Sequence, residues 1–185
     1  MYKFSIITIN LNNDAGLQKT TQSVFGQNFK DFEYIVIDGG SKDGSIALIE
    51  ANKDRLSYWI SEVDSGVYNA MNKGIQKATG EYLLFLNSGD YLMHENILAE
   101  VATSLDGTEL IYGNVFLIEN SQKSWIGFYP AKLSFQHFVD GSLPHPCSFI
   151  KKSVFDKVGY YDEGLKIVAD WKFFLHAICK FNVTF

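Results

Sequence analysis

Arginine occurs only once in the 185 residues, as Arg55, with two cysteines and three prolines. A lone arginine leaves no cluster of guanidinium groups to clamp a polyanion. Sixteen basic against 21 acidic residues give a net charge of −5. Neither half of the chain has a basic excess to neutralise a phosphate backbone, which argues against nucleic acid as a partner. Cys147 and Cys179 lack a metal-ligand or redox spacing and are too few for a disulfide framework, so a reducing, cytoplasmic setting fits. Long apolar runs are missing too. The opening Met1–Ile9 meets polar Asn10 before a signal-peptide core can form. No run approaches the ~18 apolar residues of a membrane span, so the expectation is a soluble protein whose membrane association, if any, is peripheral.

What is present is apolar and aromatic: 46% of residues are hydrophobic and 15% aromatic. That composition predicts one compact domain with a substantial core, and it excludes disorder. Phe4–Ile9 reads as a strand covered on both faces. Leu17, Thr21, Val24 and Phe25 then recur at helical spacing from a cap at Asn13 or Asp14 to Gly26. Phe32–Asp38 is the second strand, Ser45–Asn52 a helix and Leu56–Ser61 a third strand. Val67, Met71, Ile75 and Ala78 mark a helix closed by Gly80, and Tyr82–Leu86 is the most apolar strand. This alternation predicts an α/β domain with a mainly parallel central sheet flanked by helices. In such sheets ligands bind at the carboxyl ends of the strands. Beyond residue 94 the pattern predicts a helix through Ile97, Leu98, Val101 and Leu105, then a long strand Leu110–Ile118. Residues 119–133 read as a loop or hairpin arm. A short helix at Phe135–Val139, a strand Cys147–Ile150, a helical turn Ser153–Val158, a helix Asp170–Cys179 and a final strand Asn182–Phe185 complete the reading.

Four places could carry chemistry, and each has a plainer structural explanation. Asp38-Gly39-Gly40-Ser41-Lys42-Asp43-Gly44-Ser45 closes a buried strand and opens a helix. Its glycines let backbone amides approach a ligand, or they simply make a turn. It is neither a dinucleotide fingerprint nor a P-loop. Asn87-Ser88-Gly89-Asp90 ends another buried strand, where a carboxylate suits a hard divalent cation but equally suits a helix cap. Asp64 stands where a helix N-cap would stand. Gly74, inside that helix, costs ~1 kcal/mol against Ala and points to close packing or ligand access. Asp170 opens an aromatic-rich helix, as a cap or as a general base whose pKa burial would lift. His145 lies in the stiff Pro144-His145-Pro146 segment, where a rigid imidazole is a structural element or a phosphate or hydroxyl contact.

Taken in order, these segments resemble one family. Ser5-Ile6-Ile7-Thr8-Ile9-Asn10, the Ile35–Ser45 segment, Asp64-x-Gly66-x-Tyr68-x-Ala70-Met71-Asn72-x-Gly74 and Gly80–Asp90 strongly resemble the large inverting nucleotide-sugar glycosyltransferase family two. That family has the GT-A, Rossmann-like fold. Pro144-His145-Pro146, Phe155–Glu163 and Ala169-Asp170 extend the resemblance over almost the whole chain. It implies a single domain, residues 1–185. Residues 1–92 would bind the nucleotide-sugar and 93–185 the acceptor, the latter half breaking off in the strand expected at its end, as in a truncated chain.

The resemblance also assigns roles. Thr8, Asn10 and Asp38 would hold the base and ribose, a carboxylate accepting well from a uracil imide N–H, which favours a UDP-sugar. Asp64 would lie beside them with Lys73 on the following helix. Asp90 would bind Mg²⁺ or Mn²⁺ with Ser88 as an outer partner. Asp90 is the one acid kept from the family's usual Asp-x-Asp. With no arginine clamp for the leaving diphosphate, a divalent ion would supply the charge stabilisation. Asp170 would take the proton of an acceptor hydroxyl in a single inverting displacement, although Ala169 replaces the acid that often precedes this base. His145 would contact substrate and Trp171 would wall the acceptor, a glycan or lipid-linked saccharide. Two other functions remain in view. A nucleotidyltransferase usually carries a basic glycine-rich loop near its N-terminus, absent here, and a nucleotide-sugar or glycan binding module without catalysis would fit the single-acid metal motif.

Overall fold

The computed structural model describes residues 1–119 and 123–185. Its elements run β1 (Phe4–Asn10), α1 (Asp14–Phe25), β2 (Phe32–Asp38), α2 (Ser45–Ala51), β3 (Tyr58–Ser61), α3 (Val67–Lys77), β4 (Tyr82–Phe85), α4 (Ile97–Thr103), β5 (Leu110–Tyr112), β6 (Val115–Glu119), β7 (Lys123–Gly127), α5 (Phe135–Asp140), β8 (Ser148–Lys151), α6 (Lys152–Val158) and α7 (Ala169–Cys179). All seven residues of β1 are buried because β1 sits in mid-sheet with parallel strands on both sides. The six strands lie in the order β3-β2-β1-β4-β8-β5, and β8 alone runs antiparallel to its neighbours. After β1 the chain steps outward to β2 and β3, then returns to lay β4 on the other side of β1. That reversal opens a crevice at the carboxyl ends of β1, β2 and β4, where α/β sheets take ligands.

Strand alternation divides the apolar residues between two cores. Ile7, Ile9, Ile35 and Ile37 pack with α3, α6 and α7 on one face. Phe4, Ile6, Tyr34 and Val36 pack with Leu17 and Val24 of α1, Ile49 of α2 and Leu98 of α4 on the other. Gly74 is explained here by packing: a Cβ would lie 2.5 Å from Ile7 Cγ2, so its absence lets α3 settle directly on β1.

The second half departs from the expected elements. The apolar run Leu110–Ile118 is two strands, because Gly113 and Asn114 turn aside. The Gly113 amide donates to Cys147 O (3.0 Å) and Asn114 Oδ1 accepts from the Tyr129 amide (3.1 Å). β6 then pairs only with β7, in a hairpin separate from the main sheet. The hairpin alternative for residues 119–133 is therefore the one observed over its described part, residues 120–122 lying outside the described residues. Asn182–Phe185 is not a strand either. Asn182 takes φ 49°, the Val183 amide donates back to Ala177 O of α7 (2.9 Å), and Thr184 O accepts from the Leu110 amide (2.9 Å). Asp64 does not cap α3, whose N-cap is Gly66 at φ 142°. Among the described residues no helix is long and apolar enough to cross a membrane.

Candidate functional site

Asn10 and Asp38 end neighbouring strands in register. Asp38 is fully buried. Its carboxylate accepts from Asn10 Nδ2 (2.7 Å), Ser41 Oγ (2.5 Å), Ser61 Oγ (2.6 Å) and the amides of Gly40 (3.1 Å) and Ser41 (2.9 Å). Burial alone would raise its pKa, but these donors together hold it below the usual carboxylate range. The turn that delivers two of them needs φ +81° at Gly40, a left-handed value open to glycine. Through these bonds Asp38 knits three strand ends together. Thr8 does not reach the crevice: it shares strand parity with Phe4 and Ile6, and its hydroxyl meets buried Tyr34 Oη (3.0 Å) under α1. Asn10 does retain an open group, since its Oδ1 is buried without a partner among the described residues.

Lys73, one helical turn or more inside α3, reaches back to Asp64 Oδ1 (2.5 Å) and Glu62 Oε1 (2.7 Å). Burial would lower its pKa, yet the two carboxylates outweigh it and push it up. Asp64 in turn lies against Gly39, where a Cβ would stand 3.2 Å from Asp64 Oδ2. The structure so places Asp64 and Lys73 at the crevice wall as an ion pair that Glu62 completes.

A second assembly is a chain of four side chains. Asn87 Nδ2 meets His145 Nε2 (3.2 Å), His145 Nδ1 meets Asp170 Oδ2 (3.2 Å), and Tyr68 Oη donates to Asp170 Oδ1 (2.8 Å). These residues come from the end of β4, the helical turn His145–Cys147, the first turn of α7 and the first turn of α3. The turn at His145 is pinned by Ser148 Oγ donating to Pro144 O (2.8 Å). Sequence reasoning expected burial to lift the pKa of Asp170. Burial does act in that direction, but the bonds from His145 and Tyr68 and the charge of His145 reverse it, and the net shift is downward. The same contact, with burial, pushes Tyr68 up to about 12. α7 begins from Val168 at φ 64°, a left-handed conformation that strains a β-branched residue. Trp171 Nε1 donates to Phe138 O (2.7 Å), so this indole fastens α5 to α7.

Asp90 contrasts with all of these. Its backbone is fixed: its amide donates to Asn87 O (2.9 Å) and its carbonyl accepts from Thr20 Oγ1 (2.6 Å). Gly89 at φ +111° makes the turn. Ser88 is held at the start of α1, its carbonyl accepting from Asn13 Nδ2 (2.9 Å). No described side chain donates to the Asp90 carboxylate, and the Asn87 backbone is the one hydrogen-bond donor that acts on it. Burial raises its pKa, and the field of His145 moderates the rise. An oxygen ligand that is partly buried and has no side-chain donor suits a hard cation. No group of three or more His, Cys, Asp or Glu side chains that could hold a metal occurs among the described residues. The residues present thus fit an ion whose remaining ligands are substrate oxygens and water, the usual manner of Mg²⁺ with phosphates.

Tyr68 and Asn87 were missed as site residues. Tyr68 fell within the α3 motif as a fixed letter, and only its position 102 residues before Asp170 in sequence, closed by the fold, gives it a partner.

The fold and this crevice define a GT-A glycosyltransferase scaffold. The family model "Glycosyl transferase family 2" matches residues 5–159, and the chain belongs to that family. It is 34% identical over 200 residues to an uncharacterized glycosyltransferase of Mycobacterium tuberculosis, covering 97% of this chain and 75% of the relative. A PGL/p-HBAD biosynthesis glycosyltransferase of Mycobacterium bovis is 32% identical over 177 residues, covering 92% of this chain and 67% of that one. Among solved structures, TarS 1-349 of S. aureus in complex with UDP superposes with a TM-score of 0.75 at 20% identity. That match covers 92% of this chain and 53% of TarS 1-349, so the chain spans about half the length of that structure.

Proposed function

We propose that this chain forms the transferase core of an inverting enzyme that moves a sugar from a nucleotide-diphosphate donor, most simply a UDP-sugar, to a hydroxyl of a glycan or lipid-linked acceptor. The observation that carries this reading is the pair of aspartates around His145. Asp170 is held ionised by two side-chain hydrogen bonds, whereas Asp90 has no side-chain donor and its pKa is raised. Two carboxylates whose surroundings push them apart mark two roles. Asp170 takes the acceptor proton as that oxygen attacks the anomeric carbon from the face opposite the leaving diphosphate, and the configuration inverts. Tyr68 and His145 hold the Asp170 carboxylate in one orientation during that transfer. On the donor side, Asp90 would hold Mg²⁺ or Mn²⁺ together with diphosphate oxygens, and the bound ion would supply Lewis-acid stabilisation of the departing charge.

The donor side of the crevice has a different logic. Asp38 acts by positioning Asn10 and Ser41, and the unpartnered Asn10 Oδ1 is the group that would accept from a uracil imide. The Asp64–Lys73 pair borders the same space. TarS is a protein of the same fold captured with UDP, which agrees with a uridine donor.

The test is transfer or hydrolysis from a panel of nucleotide-sugars with Mn²⁺, for the wild type and Asp170→Asn. Loss of the base should cost about 10²–10⁴-fold in turnover, and equal turnover would remove Asp170 from the role. Binding without any turnover by the wild type would favour the second reading, a nucleotide-sugar binding module, for which the single carboxylate at Asp90 speaks.

A further inference from the structure

One groove lies mostly outside the chemistry above and touches it at Asp90. It encloses about 640 Å³, within the ~300–1,000 Å³ usual for a small-molecule site. Ile97 and Val101 of α4, Met93, and Val115 and Leu117 of β6 form its walls, and Asp90 lies at its margin. Lys19 and Asp90 are its only charged lining side chains among the described residues. The Lys19 ammonium sits 3.9 Å from the Tyr91 ring centroid, so both charges gather at the Asp90 side. Half-buried Cys147 lines the groove, its thiol pushed up to about 11 by burial and therefore neutral.

The groove and the four-residue chain share one segment. His145 bonds Asp170, while the next two residues, Pro146 and Cys147, line the groove. The groove meets that chain a second time through Asp90, whose amide donates to Asn87 O (2.9 Å) while Asn87 Nδ2 meets His145 Nε2 (3.2 Å). The opposite wall is the β6–β7 hairpin, which pairs with no other strand of the sheet. Its Phe116, Leu117, Ile118 and Ile126 are exposed, as is Trp125 at 49%. Apolar side chains on a hairpin so poorly covered mark a binding wall. The groove is a concave slot with its charges at one end, the shape of a site for one amphiphile.

We propose that this groove binds the apolar aglycone of an amphiphilic acceptor, an alkyl or aryl group, and so presents the acceptor's hydroxyl to Asp170. The inference rests on the transferase reading and names the acceptor class for it. In the reaction the hydroxyl oxygen bonds to the anomeric carbon. The bond from that carbon to the diphosphate oxygen breaks, its electron pair leaving on the diphosphate, and the hydroxyl proton passes to Asp170.

The test uses hexyl, octyl and decyl β-glucosides, titrated below their micelle concentrations by calorimetry, with UDP titrated separately. Burial in the groove predicts that affinity rises about two- to fourfold per added methylene. Two variants should flatten that slope. Gly113→Trp adds bulk where a Cβ meets nothing within 4 Å, and Leu117→Asp puts a charge on the exposed hairpin; thermal melting reports whether each remains folded. A flat slope in the wild type, or a slope unchanged in both folded variants, overturns the proposal. A steep slope without UDP binding removes the transferase reading and the acceptor role with it, whereas UDP binding with a flat slope overturns the groove alone. A wild-type dimer that Leu117→Asp converts to monomer would assign the groove to a second copy and likewise overturn it.

Discussion

The carboxyl ends of β2 and β4 each deliver an aspartate to the same crevice, and the two have opposite surroundings. Asp38 is buried beneath five donors from three segments. Asp90 has no side-chain donor among the described residues, only the Asn87 backbone, and its pKa is raised by burial. Position at a strand end is thus shared by a carboxylate held by many protein donors and a carboxylate held by almost none. The number of protein donors already spent on each distinguishes them, since a satisfied acceptor has little left to offer a substrate.

The contrast can be broken most forcefully at Asp38. Asp38→Ala would strand several buried neutral donors, and a buried donor left without its partner costs about 1–3 kcal/mol. Urea unfolding should show that loss, while Asp90→Ala should stay within about 1 kcal/mol of the wild type. Comparable losses for the two variants would erase the distinction.

A smaller effect lies in pH. Asp90 has a raised folded pKa, so its ionised form weakens the fold, and stability is recovered as pH falls through that raised value. Asp170 has a lowered folded pKa, so it contributes stability above the unfolded carboxylate value and loses it as pH falls towards the folded one. With a chelator present, Asp90→Asn should therefore be more stable than the wild type at pH 7 and Asp170→Asn less stable. Both differences should close in acid, where every carboxyl is neutral. Denaturant midpoints across pH check the signs, and a gap of the same sign for both variants would contradict them.

The smallest change sharpens the Asp170 side. Val168 holds a left-handed φ while 48% exposed. Asn tolerates that conformation, so Val168→Asn should stabilise the protein by about 1 kcal/mol, read as a rise in melting temperature. A fall would mean that the Val168 side chain contributes more by packing than its backbone costs.

Much of the fold was legible because its first half obeys simple periods. The continuous apolar β1, the helical spacing of Val67, Met71 and Ile75, and Gly80 after α3 each specify one element, and their alternation specifies the sheet. The break between β5 and β6 was not legible, since the apolar run continues on both sides of Gly113-Asn114 and only contacts with Cys147 and Tyr129 turn the chain aside. Thr8 could have been placed in the core from strand parity with Phe4 and Ile6. At the site, motif order singled out Asp90, His145 and Asp170, and the fold sets His145 against Asp170 with its field reaching Asp90. What it could not show is who satisfies whom: Ser41 and Ser61 on Asp38, or Tyr68 on Asp170, are matters of distance between remote segments. The expected upward shift of Asp170 failed for that reason, because burial was visible in the apolar sequence around it and its hydrogen bonds were not.

The most direct measurement is calorimetric titration of UDP with and without Mn²⁺, on the wild type and on Asp90→Asn. If Asp90 is the vacant ligand opposite a self-satisfied Asp38, the wild type binds UDP more tightly with Mn²⁺ and Asp90→Asn loses that gain, by about tenfold or more. Equal affinities for the two proteins with Mn²⁺ present would contradict it.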